Sequence, residues 1–120
     1  MFECIIVGAG GFLGAVCRYL IGLIPLRESL SFPLKTFAIN IAGSFLIGMI
    51  AAAAAKNNSL NPRFVLFLKV GICGGFTTFS SFALETGTLI ESGNTMTAFL
   101  YAVLSVILGV AAAFAGQLIV

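Results

Sequence analysis

The chain has 120 residues, 60% hydrophobic and only 8% charged, with six Lys+Arg against four acidic residues and a formal net charge of +2. A soluble domain this short exposes most of its surface to water, and about a quarter of an ordinary domain is charged; a water-soluble globular fold is excluded. The small net charge lacks the basic stripe of a nucleic-acid binder. Without His, and with Cys4, Cys17 and Cys73 scattered through apolar runs, there is no zinc constellation, nucleophilic triad or disulfide framework.

A membrane-spanning helix needs about 20 mostly apolar residues, and the sequence divides into four such stretches. The first span runs from about Cys4 to Ile24 and stops at Pro25; a polar connection, Arg27-Glu28-Ser29 through Lys35, follows. It is not a cleavable signal peptide, since it begins with Glu3 in place of a basic region and its apolar run is too long. The second runs from about Thr36 to Ala55 and ends at Lys56-Asn57-Asn58-Ser59. Asn61 is an N-cap and Pro62 a first-turn residue for the third span, about Arg63 to Glu91, with a break expected near 74–78. Ser92-Gly93-Asn94 turns the chain into the fourth span, about Thr95 to Val120. The expected architecture is one all-α membrane domain of four helices over residues 1–120.

Four spans put both termini and the second loop on one side, with the first and third loops on the other. The first side holds Lys56, Arg63 and, by snorkelling, Lys69; the other holds Arg27, Lys35 and, two turns inside, Arg18. Orientation follows Lys/Arg asymmetry in short loops, and three against three gives none. Two readings stand: short loops that carry little signal, or a chain inserted both ways that assembles as an antiparallel pair.

Ile5 to Gly14 imitates a strand followed by a glycine-rich phosphate turn, with Gly8, Gly11 and Gly14 suitably spaced. That motif needs a βαβ unit and a later acidic residue, which an apolar span followed by Arg18 does not supply. Gly10, Gly14 and Gly22 instead form a small-residue stripe for close helix approach.

Polar groups inside spans must be satisfied without bulk water. Thr36, Asn40, Ser44 and Gly48 recur every four residues on the second span; Asn40 is either interhelical glue or part of a pathway. Thr97, Tyr101, Ser105, Gly109, Ala113 and Gln117 recur likewise on the fourth, where a row of hydroxyls suits a narrow polar track. On the third, Gly71-Ile72-Cys73-Gly74-Gly75-Phe76-Thr77-Thr78-Phe79-Ser80-Ser81-Phe82 is a poor helix former. Either it unwinds and frees backbone carbonyls, which commonly coordinate ions, or it stays helical with a small packing face. Arg18 reads as an anchor or cap and Glu85 as an acceptor for nearby hydroxyls. Phe79 and Phe82 lie one turn apart, and a ring's positive edge, with the Asn40 amide, offers a small anion weak donors without a trapping cation.

At these residues the chain resembles the Fluc/CrcB family of fluoride channels. Gly10-Gly11-Phe12-Leu13-Gly14-Ala15-Val16-Cys17-Arg18-Tyr19 is similar to the family's first-span signature, Thr36 through Asn40 to Gly43-Ser44-Phe45 to its second, and Gly71 through Phe82 with Glu85 to its third. The resemblance runs in order along the whole chain. It implies an antiparallel, dual-topology homodimer in the cell's inner membrane, with two pores along the subunit interface and the third span broken mid-membrane. By position, Phe79 and Phe82 would line the pore edge-on, Asn40 would donate to fluoride, and Tyr101, Ser105 and the hydroxyls around Ser80 would continue the track. A structural sodium ion would be held between subunits by carbonyls of Gly74 and Thr77. Gly109 and Lys35 depart from residues common in the family, at a track position and before Thr36. The implied activity is passive fluoride export that protects the cell, not enzymatic catalysis. The alternatives are a small multidrug-type proton-coupled exporter, disfavoured by the absence of Trp and of a first-span carboxylate beyond Glu3, and a non-transporting assembly subunit.

Overall fold

The computed structural model describes residues 1–26 and 31–120; Arg27, Glu28 and Ser29 of the first connection lie outside the described residues. Helix α1 is Phe2–Gly22, α2 is Leu34–Lys56, and α6 is Thr95–Ile119. Between them the third span begins as α3, Pro62–Leu66, widens into a π-helical turn, Phe67–Cys73, and resumes briefly as α4, Gly74–Phe76. Thr77 and Thr78 are extended, and α5 follows from Phe79–Glu91. The described residues contain no strand, and four helical stretches are long and apolar enough to cross a membrane.

Local chemistry explains the ends. Asn61 Oδ1 accepts from Arg63 N–H at 2.9 Å with Pro62 behind it, so two otherwise unpaired amide positions at the start of α3 are answered. Gly93, at φ +89°, makes the α5–α6 turn in a conformation other residues avoid. At the third-span interruption, Thr77 turns both its N–H and its hydroxyl onto the Cys73 carbonyl, at 3.1 and 2.9 Å. Thr78 then caps α5 by accepting from Ser81 N–H at 3.1 Å. Hydroxyl side chains that bond nearby backbone compete with the helix in this way.

The helices pair out of sequence order. An added Cβ at Gly10 would lie 2.6 Å from the Phe67 carbonyl oxygen and one at Gly75 2.5 Å from that of Gly11, while one at Gly14 would overlap the Ile72 carbonyl. Residue numbers rise together across this contact, so α1 runs parallel to the third span. Likewise Gly109 lies against Ser44 and Gly48 against Ala113, which makes α2 and α6 a second parallel pair, closed further by Gly116 against Phe45 and Met49. Of the expected stripe, Gly10 and Gly14 are buried contacts, whereas Gly22 has open space around it. Its carbonyl instead accepts from Lys35 Nζ at 2.9 Å. At the opposite end, Arg63 pairs with Glu3 at 3.5 Å and lies over the Phe2 ring at 4.7 Å, tying the starts of α1 and α3 together.

Large apolar side chains face outward, with Phe12 68% and Leu118 84% exposed. Cohesion therefore comes from close backbone approach at glycines and from part-buried interhelical hydrogen bonds, as expected in lipid, where apolar burial offers little advantage. The main apolar cluster surrounds the wholly buried Tyr101, with Leu89, Ala98, Phe32, Phe37 and Phe82 packed around it.

Candidate functional site

Helix α2, the interrupted third span and α6 enclose a groove of about 370 Å³. Asn40, Gly43 and Ser44 come from α2, Gly74, Thr77 and Thr78 from the interruption, Phe79 and Phe82 from α5, and Ser105 from α6. No residue lining it carries a formal charge.

Asn40 is fixed by the interruption itself. Its Nδ2 donates to the Thr78 carbonyl at 3.0 Å, and its Oδ1 accepts from Thr78 N–H at 2.8 Å. Because Thr78 N–H can only donate, the amide has one permitted orientation. The second Nδ2 hydrogen has no partner in this clamp. Ser44 bonds back to the Asn40 carbonyl at 2.7 Å, whereas the Ser105 Oγ is buried without a hydrogen-bond partner among the described residues. Asn40 and Ser105, each with a donor that has no partner among the described residues, therefore both line an uncharged space. Beside them stand the rings of Phe79 and Phe82, their centroids 5.7 Å apart and tilted by 47°.

The clamp has a second effect. The helical partner of the Gly74 carbonyl would be Thr78 N–H, which goes to Asn40; that of the Thr77 carbonyl would be Ser81 N–H, which goes to Thr78 Oγ1. Two neutral carbonyl oxygens at the interruption lose their usual amides. The adjacent Gly75 carbonyl accepts from Arg18 Nε at 3.2 Å, which gives Arg18 a contact with the interrupted backbone.

Two expected pore residues, Tyr101 and Ser80, lie apart from the groove lining, as do Arg18 and Glu85. Tyr101 has its ring edge-on to Phe82 at 5.0 Å, and its hydroxyl donates to Glu85 Oε1 at 2.8 Å. Ser80 is exposed, with its Oγ 3.4 Å from Thr78 Oγ1. Glu85 also accepts from the Thr36 hydroxyl on Oε2, at 2.8 Å. Glu85, Arg18, Lys35, Thr36 and Ser81 border a second, wider cavity of about 640 Å³. Thr78 lines both cavities and stands at their common wall. Sequence reasoning did not single out Thr78, although its place in the hydroxyl-rich run was visible.

The family model described as "CrcB-like protein, Camphor Resistance (CrcB)" matches residues 5–117. This chain belongs to the CrcB family. Among CrcB relatives, a protein of Chlorobaculum tepidum named "Fluoride-specific ion channel FluC" is 45% identical over 119 residues, covering 99% of this chain and 94% of the relative. Proteins of the same name from Chlorobium luteolum and Rhizobium meliloti are 46% and 45% identical, over 95% and 97% of this chain and 88% and 94% of their own lengths. CrcB is a family of ion channels, not of enzymes.

Proposed function

We propose that this chain is a passive fluoride channel of the inner membrane, letting fluoride leave the cytoplasm down its electrochemical gradient. The observation that carries the reading is the uncharged groove, bordered by the spare donors of Asn40 and Ser105 and by the rings of Phe79 and Phe82. Weak, neutral donors let a small anion bind and leave, whereas a fixed cation would trap it. The fluoride-channel names of relatives above 40% identity support the choice of ion. A proton-coupled exporter needs a carboxylate free to exchange protons and substrate, whereas both oxygens of Glu85 already accept hydroxyl hydrogens.

The working unit in this reading is an antiparallel homodimer with two pores. Phe79 borders the groove yet is 78% exposed, so a second copy would supply the missing wall. The even division of basic residues between the two sides accords with insertion in both orientations. The third-span interruption would then lie near mid-membrane, where irregular backbone must be buried in protein or line a cavity. Tyr101 and Ser80 would extend the polar route beyond the groove. The Gly74 and Thr77 carbonyls suit a sodium ion between the two copies, since they are oxygen donors stripped of their helical partners. Such an ion would cross-link the two interruptions as a structural element, and neutral ligands fit a monovalent charge.

Fluoride-electrode measurements on reconstituted liposomes, with chloride as the control anion, test the reading. Phe79→Ile and Phe82→Ile should each reduce fluoride efflux at least about tenfold, a change of about 1.4 kcal/mol or more in barrier, while dimers persist by crosslinking. Unchanged efflux in both variants would remove the rings from the pathway.

A further inference from the structure

The wider cavity carries two cationic side chains, Arg18 and Lys35, and one carboxylate, Glu85. Glu85 has both oxygens engaged by Thr36 and Tyr101. Neither Arg18 nor Lys35 forms an ion pair among the described residues; each gives a hydrogen to a carbonyl, of Gly75 and Gly22 respectively. The two cations differ in setting. Arg18 is part-buried against the interruption, whereas the Lys35 contact is exposed and leaves two of the ammonium's three hydrogens unassigned. Gly22 ends α1, and the partial negative charge of a helix C-terminus steadies an ammonium there. The Lys35 charge is thereby held at the cavity wall instead of swinging into bulk water.

We propose that Lys35 is an anion-gathering residue: its ammonium, pinned by Gly22, raises the concentration of small anions in this cavity and sets how fast they reach the wall at Thr78. The inference rests on the fluoride-channel reading. A unit charge about 7 Å away in water raises local anion concentration about threefold at low salt. The Debye length is about 8 Å at physiological ionic strength, so added salt weakens the attraction. Sign is selected in this cavity and anion identity in the uncharged groove beyond. Lys35 also precedes Thr36, so the start of α2 both presents the attractive charge and engages the opposing carboxylate.

Initial fluoride efflux from liposomes, at low fluoride and in an impermeant salt such as potassium gluconate, provides the test. At about 20 mM ionic strength Lys35→Gln should slow efflux about twofold, the unscreened value reduced by the remaining salt, and Lys35→Glu more. Lys35→Arg should stay near wild type, and all four proteins should converge as salt approaches about 300 mM. A loss in Lys35→Gln that is equal at both ionic strengths, or no loss at all, overturns the inference, because a purely structural cap on Gly22 would be insensitive to screening. A wild type that carries no fluoride removes the channel reading, and this inference falls with it. A conducting wild type with a salt-independent loss removes the inference alone.

Discussion

Replacing Asn40 with Leu removes both bonds that hold the third-span interruption, at 3.0 and 2.8 Å. The branched heavy-atom skeleton is kept, although two methyls are bulkier than an amide, so the chief loss is polar: the Thr78 carbonyl and N–H both lose their partner. An unsatisfied buried group costs about 1–3 kcal/mol, while interhelical hydrogen bonds in membrane proteins average nearer 0.6 kcal/mol each. Because Thr78 borders two cavities where water can reach it, the two bonds together should be worth about 1–4 kcal/mol. For a chain of this size that lowers the melting temperature by roughly 5–15 °C, readable by thermal unfolding in detergent. Ser44→Ala is the internal control, since the Ser44 bond is made one turn back to Asn40 on its own helix; it should shift melting little. If Asn40→Leu melts within about 2 °C of wild type, the clamp does not hold the interruption.

Two further outcomes follow from the packing. Gly14→Ala and Gly48→Ala each place a methyl against partner backbone and should cost about 1–3 kcal/mol, whereas Gly8→Ala, inside α1 with open space around it, should be neutral to slightly stabilising in the same melts. Glu85→Gln and Thr36→Val should each destabilise, and the double variant should lose clearly less than the sum, since they share the 2.8 Å bond; strict additivity would show that bond to be inert.

The four long helices were legible because lipid demands apolar runs of fixed length, and the α3 start because Asn61-Pro62 is a local signal. Tertiary relations were less so. That Asn40 is held by Thr78, 38 residues away, cannot be read from a stripe on α2, because the partner is backbone and has no residue signature. The polar stripe on α6 also divides in space: Ser105 borders the groove, while Tyr101 turns to Glu85 in the aromatic cluster. The Gly10, Gly14 and Gly22 stripe overreached for a related reason. Spacing defines a helix face but not where the neighbouring helix stops touching it, and contact ends before Gly22. The π-helical turn at Phe67–Cys73 has no compositional mark at all.

The out-of-order pairing bears on how the protein is made. Helices α1 and α2 are neighbours in sequence but share little contact; α1 waits for the third span, and α2 for α6. During synthesis the glycine face of α1 gains its partner once residues as far as Phe76 have been inserted, but Gly48 must wait for Ala113, nearly the end of the chain. The second helix therefore waits through insertion of the whole third span without its α6 partner, and a chain halted before α6 is complete is a three-helix product that lacks the α2–α6 pair.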